Sequence, residues 1–226
     1  ALERGLRVRC HLEDITRADL TGFVAPLVRR IVELAPEAVI RLCDTVGVGL
    51  PDPETDPPRG IPKLVAALRE LGAEHIEIHA HDDMGLAVAN TLAALDRGAD
   101  WASCTLLGLG ERAGNAPLEE ILIHLHFVEG MEGRYDLGVL GEAARFFQEE
   151  VGLAIPPNKA VVGGNAFAHR SGIHAAAVLR DPACYEPFPP ELVGGERRLL
   201  AGPTSGLEVV AHKVNEVLAH LGLSLR

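Results

Sequence analysis

The segment His79-Ala80-His81-Asp82-Asp83-Met84-Gly85 sets two imidazoles two residues apart at the end of an apolar, strand-like run that starts at Ile76. Alternate residues of a strand share a face, so His79 and His81 can turn towards one divalent cation while Ile78 and Ala80 pack the other way. An isolated pair of this kind can equally be a solvated or hydrogen-bonded one. The chain carries its own comparison in His124-Leu125-His126, which has the same spacing inside a helical stretch. There, residues two apart diverge by about 200°, and the pair reads as ordinary surface histidines.

A second polar constellation lies near the start. From Leu6 to Glu13 the residues alternate, with Leu6, Val8, Cys10 and Leu12 on one side and Arg7, Arg9, His11 and Glu13 on the other. Arg9 can grip a carboxylate and Glu13 can handle a proton if that side lines a site; a solvated edge strand is the alternative. Thr45, in Asp44-Thr45-Val46-Gly47, shares a face with Val39 and Arg41, so its hydroxyl can reach the same place or simply form a turn. Gly108-Leu109-Gly110-Glu111-Arg112-Ala113-Gly114-Asn115 is a glycine-rich turn before a helix, which can approach a ligand or just reverse the chain, with Asn115 available as a helix cap. Further on, Phe167-Ala168-His169-Arg170-Ser171-Gly172-Ile173-His174 is followed eleven residues after His174 by Tyr185. A lone His or Tyr is more often structural than catalytic.

The elements that must hold these residues follow from periodicity. Leu20, Phe23, Val24, Leu27, Val28 and Ile31 form a helical stripe; Val39 to Thr45 is a strand; Pro51 to Pro58 is a loop; Ile61, Leu64, Val65, Leu68 and Leu71 mark a second helix closed by Gly72. Ile76 to His81, Gly85 to Asp96, Trp101 to Leu107 and Pro117 to Val128 continue the alternation. Four βα units specify a parallel sheet, and a closed (β/α)8 barrel needs eight units in about 250 residues. The expected class is therefore α/β, half of such a barrel over residues 1–130, with a small, mostly helical subdomain over 131–226. In the latter, Leu137 to Gln148 and Ser205 to His220 read as helices, with Ser205 as N-cap, and Ile155 to Gly164 as a connector.

Composition bounds the function. The 226 residues are 47% hydrophobic and 23% charged, with 21 basic against 32 acidic residues for a net charge of −11. That balance argues against a nucleic-acid surface, and no apolar run reaches the ~20 residues of a membrane span. Cys10, Cys43, Cys104 and Cys184 form no Cys-x-x-Cys pair, which fits reduced thiols in a cytoplasm.

Taken together, HAHDDMGLAVAN (residues 79–90), GLGERAGNAPLEE (108–120) and FAHRSGIH with the later Tyr185 resemble the DRE-TIM metallolyases, in their acyl-CoA-condensing branch of isopropylmalate, homocitrate, citramalate and Re-citrate synthases. The run HLEDITRAD, residues 11–19, is most similar to the homocitrate and Re-citrate synthase-like members. The resemblance implies His79 and His81 as ligands of a divalent metal (Mg, Mn or Zn), with Asn115 an additional ligand or a near neighbour of it. It further implies Arg9, His11 and Thr45 at the 2-oxo acid, His11 tuning substrate choice, and Glu13, His174 and Tyr185 as catalytic groups. The implied reaction is Claisen condensation of acetyl-CoA with a short 2-oxo acid. It would occur in a homodimer whose C-terminal subdomain reaches the neighbouring active site.

Two departures stand out. The chain opens at Ala1, at what corresponds to the fifth barrel strand, so the first-strand motif with its Arg and metal-binding Asp is expected from a missing N-terminal half-barrel. Ala201-Gly202-Pro203-Thr204-Ser205-Gly206 replaces the usual Gly-Lys-His-Ser-Gly run, and Glu111-Arg112 stands where related hydroxymethylglutaryl-CoA lyases carry a Cys-bearing loop, which favours condensation over cleavage. The rival readings are a non-catalytic half-barrel and a metal-dependent hydrolase, whose His-x-His pair belongs near a first strand.

Overall fold

Parallel pairing between successive strands organises the N-terminal part of the computed structural model, which describes residues 2–202 and 205–223 and separates into two units, Ala1–Val128 and Glu129–Arg226. The first unit runs β1 (Arg9–Leu12), α1 (Ala25–Leu34), β2 (Val39–Asp44), α2 (Ile61–Glu70), β3 (His75–Ala80), α3 (Ala87–Asp96), β4 (Trp101–Ala102) and α4 (Leu118–Phe127). The sheet order is β1-β2-β3-β4, all parallel, as expected of four βα units of a partial barrel. The register sets His11 beside Arg41, Arg41 beside Glu77, and Cys43 beside His79.

That register sorts the side chains. Leu12, Ile40, Leu42, Ile76, Ile78 and Ala80 point to the helices and are buried with Val28, Leu64, Val65, Leu68, Ala87, Ala94 and Ile121. Burying a Leu or Ile side chain is worth roughly 1.5–3 kcal/mol, so this apolar face supplies the driving force of the unit. The opposite face carries Arg9, His11, Arg41, Cys43, Glu77 and His79. Pro62 in the first turn of α2 and the left-handed Gly72 and Gly98 after α2 and α3 bound those helices, Gly72 where the sequence places the end of α2.

Two strands are shorter than their apolar patterns. β1 ends before Glu13 because Asp14 turns left-handed (φ 59°) into a 3₁₀ turn over Ile15–Arg17. β4 stops at Ala102, and Leu107 is left-handed (φ 61°) inside the 3₁₀ turn Leu106–Gly108. The predicted stripe of α1 is also split: a π-helical turn, Leu20–Val24, precedes the helix, leaving Val24 and Val28 buried but Phe23 and Leu27 exposed.

At the end of β2 the buried Asp44 carboxylate accepts from Thr16 Oγ1 (2.8 Å), Val48 N (3.0 Å), Gly49 N (3.0 Å) and Asn90 Nδ2 (3.3 Å). These donors come from the β1 loop, the β2 loop and α3.

The second unit holds α5 (Val139–Glu149), β5 (Ala168–His169), α6 (Gly172–Arg180), β6 (Arg198–Leu199) and α7 (Leu207–His220), with β5 and β6 paired in parallel. Ala175, Val178, Leu199 and Val209 form a small core. Gly172 and Ile173 open α6, and α7 is capped by Gly206 instead of Ser205, whose hydroxyl accepts from Gly202 N (2.8 Å). Of the departed loop, Pro203 and Thr204 lie outside the described residues.

Asp44→Ala strands several buried donors, each costing about 1–3 kcal/mol, and is expected to lower stability by roughly 3–5 kcal/mol in urea unfolding. A loss below about 1 kcal/mol would show that the carboxylate does not hold these loops.

Candidate active site

The polar face is graded along the strands. Deepest lies the buried Glu77, whose Oε2 is 2.7 Å from Arg9 Nε and whose Oε1 accepts from Arg41 Nη2 at 2.8 Å. Two guanidiniums thus compensate one buried carboxylate, the condition under which a charge is tolerated away from water. Arg9, expected at a substrate carboxylate, has its Nε on Glu77 and precedes Glu13 by four residues, two strand repeats.

One layer up, His79 and His81 meet edge to face, ring centroids 4.9 Å apart at 76°. His79 lies beside Cys43, one residue before the β2–β3 ladder ends at Ala80, and His81 N donates to Asp44 O (3.2 Å) beyond it. His81 is also bridged to Asn115 in the loop after β4. Burial first, then the neighbouring His81 and Arg41 charges, push the His79 pKa below the ordinary imidazole range, holding it in the neutral form that ligates a metal. His79 Nδ1, His81 Nδ1 and Asn115 Oδ1 are all buried without a hydrogen-bond partner. Asn115 does not cap α4, where Pro117 holds that position; its Nδ2 donates to Leu109 O (2.9 Å), which frees Oδ1. Buried polar atoms left unpaired cost stability, and two imidazole nitrogens with an amide oxygen form a donor set that a divalent cation satisfies. The residues present fit a metal.

Beside them Thr45 Oγ1 donates to Glu13 Oε2 (2.8 Å) and accepts from Asp14 N (2.7 Å), so the hydroxyl fixes the carboxylate. His11 Nδ1 stands 3.9 Å from Glu13 Oε1. His11 and Glu13 are exposed.

Arg112, a residue the sequence did not single out for this purpose, ties the loops together. It forks onto Asp83 (2.8 and 2.9 Å) and donates to Thr45 O (2.7 Å) from a left-handed backbone, φ 58°. Its hydrogen bonds hold the Asp83 carboxyl below the usual range. Gly47 permits the same closeness: at φ +64°, a Cβ there would lie 2.8 Å from both Asp83 N and His81 O.

In the second unit His174 and Tyr185 do come together, rings stacked at 4.1 Å and 28°. The following residue, Glu186, is buried and accepts a fork from Arg197 (2.8 and 2.6 Å), with His169 Nε2 3.0 Å from its Oε1; the Arg197 hydrogen bonds dominate in lowering its pKa. This anchor went unseen because its members are eleven and seventeen residues apart and carry no shared period.

A partial (β/α) barrel with the buried Nδ1 atoms of His79 and His81 at a strand end defines the class as a barrel with a polar mouth. The chain belongs to the HMGL-like family, whose model matches residues 1–147, and residues 161–224 match the homocitrate synthase post-HMGL domain-like model. It is 42% identical over 217 residues to homocitrate synthase AksA of Methanopyrus kandleri, covering 96% of this chain and 52% of that protein. Against homocitrate synthase of Frankia alni it is 43% identical, covering 96% and 59%, and against 2-isopropylmalate synthase of Methanocaldococcus jannaschii 38%, covering 97% and 41%. The chain thus spans about half the length of the curated relatives it matches. An HMG-CoA lyase from Brucella melitensis superposes with TM-score 0.52 at 25% identity, over 66% of this chain and 53% of that one. No helix among the described residues is long and apolar enough to cross a membrane.

Gly47→Ala forces both a left-handed alanine and a collision with the His81–Asp83 loop, and is expected to cost on the order of 1–3 kcal/mol by chemical denaturation, with faster amide exchange at His81 and Asp83. Unchanged exchange at those amides would mean the two loops are not held by this approach.

Proposed function

We propose that this chain contributes half of a metal-dependent enzyme that condenses acetyl-CoA with a short 2-oxo acid, of the homocitrate, Re-citrate or isopropylmalate synthase type, and releases CoA. The observation that carries the reading is the set of buried, unpartnered His79 Nδ1, His81 Nδ1 and Asn115 Oδ1 beside the Thr45-held Glu13, in a chain about 40% identical to such synthases along nearly its whole length.

His79, His81 and Asn115 would hold the cation, Mg, Mn or Zn. When bound it supplies Lewis-acid polarisation of the 2-oxo acid's ketone and neutralises the oxygen charge that develops there. The further βα units that a closed barrel needs would complete the ligands and close the mouth. Thr45 fixes Glu13 so that its carboxylate orients the substrate and handles a proton, while His11, exposed beside it, touches the variable end of the 2-oxo acid. Arg9 acts one step back, setting Glu77 and the charge beneath the pocket.

The condensation removes a proton from the acetyl methyl group, joins that carbon to the ketone carbon and leaves an alkoxide to be protonated. Water then cleaves the thioester, and CoA departs. His174 and Tyr185 are suited to the methyl proton: imidazole exchanges protons near neutral pH, and the stacked phenol fixes the ring. We assign this pair to the active site of a neighbouring subunit in a cytoplasmic homodimer.

The test is release of free CoA thiol by this chain and by a version extended upstream, with oxaloacetate, 2-oxoglutarate, 2-oxoisovalerate or pyruvate as acceptor. The extended protein is expected to turn over one of these acids, and Glu13→Gln to lower kcat by about 10²- to 10⁴-fold. Thiol release from none of the four acids would contradict the reading, and a Glu13→Gln variant within twofold of the parent would remove Glu13 from the chemistry. Mixing inactive His174→Ala and His79→Ala subunits is expected to restore activity, and mixed dimers as inactive as either parent would rule out the trans arrangement.

A further inference from the structure

A second group of ligating atoms lies on the same polar face. His11 and Glu13 follow one another on β1 and its exit, and Cys43 is on β2; one ligand atom from each, nitrogen, oxygen and sulfur, all lie within 4.8 Å of one another. A tetrahedral cation with bonds of 2.0–2.3 Å needs ligand separations of about 3.3–3.8 Å, so a contraction of roughly 1 Å by the two exposed side chains closes the set. Thr45 already restrains one oxygen of Glu13, leaving Oε1 towards His11, as an outer hydrogen bond orients a ligating carboxylate. Cys43 is buried yet lies on the face of Arg41 and His79 instead of the apolar core, with its thiol 3.8 Å from Arg41 O.

We infer that His11, Glu13 and Cys43 form a second cation site, selective for zinc-class ions and distinct from the His79, His81 and Asn115 set. The selectivity follows from the donors. A thiolate with an imidazole suits Zn, Co or Cd and does not suit Mg, whereas the other set has no sulfur. Binding requires the Cys43 proton to leave as the metal–sulfur bond forms. Occupation would take Glu13 from the substrate pocket, so zinc-class ions would compete with the 2-oxo acid. That consequence rests on the proposed function; the binding does not.

Titration of the 226-residue protein with Co2+ reads the sulfur directly through the near-ultraviolet thiolate-to-cobalt charge-transfer band. The band is expected to saturate at one equivalent, to survive Cys184→Ser and His79→Ala, and to vanish in Cys43→Ser. His11→Ala, at an exposed position that folding tolerates, is expected to weaken the Co2+ affinity at least ~10-fold. No band at saturating Co2+, a band that persists in Cys43→Ser, or an affinity unmoved by His11→Ala would overturn the site. A band without any CoA release by the extended enzyme would leave the cation site standing and remove the condensing activity instead.

Discussion

One buried carboxylate fixes where the chemistry can happen. Asp44 sits at the end of β2, where the chain must leave the sheet, and its oxygens gather donors from Thr16, Val48, Gly49 and Asn90. Its backbone carbonyl takes the His81 amide, so the group that closes the β1 and β2 loops also sets the height of the second imidazole. A buried anion without these donors would be strongly unfavourable, and the donors without it would be stranded. The arrangement is cooperative for that reason. Thr45, one residue on, inherits its place from Asp44 and passes it to Glu13.

The sheet then divides its labour between faces. Packing on the helical side fixes the register, and the register alone decides that His11, Arg41 and Glu77 are neighbours and that Cys43 lies beside His79. Glu77 with its two arginines forms a charged floor, while the imidazoles and Glu13 form the rim above it. The loops converge on that rim by different means. Gly47 lets backbones touch, and Arg112 spans Asp83 and the Thr45 carbonyl with one guanidinium.

Much of this was legible from residue spacing. A strand's period of two placed His79 and His81 on one face and separated Arg9, His11 and Glu13 from their apolar neighbours, and the same rule set His124 and His126 aside on α4. The alternation of elements yielded the parallel sheet. Other features depend on partners far away in sequence. The pairing of Arg9 with Glu77, two strands distant, has no local mark in the sequence. Asn115 resembled a helix cap because the pull of Leu109 O on its amide is a matter of loop geometry. β1 stops short of Glu13 where Asp14, a residue of ordinary type, turns left-handed, and β4 stops at Ala102 although its apolar pattern continues to Leu107. The Glu186 anchor beside Tyr185 was invisible for the same reason of distance.

The condensation proposed for the mouth of the sheet requires that His79, His81 and Asn115 hold one cation. Mn2+ binding followed by electron paramagnetic resonance measures this most directly, because a hard cation avoids the thiol of Cys43 and bound and free ions differ in signal. The protein is expected to take up one equivalent, His79→Ala and Asn115→Ala to weaken binding at least ~10-fold, and His126→Ala to leave it unchanged. Full-affinity Mn2+ binding by His79→Ala, or none by the parent chain and its upstream-extended form alike, would contradict the account.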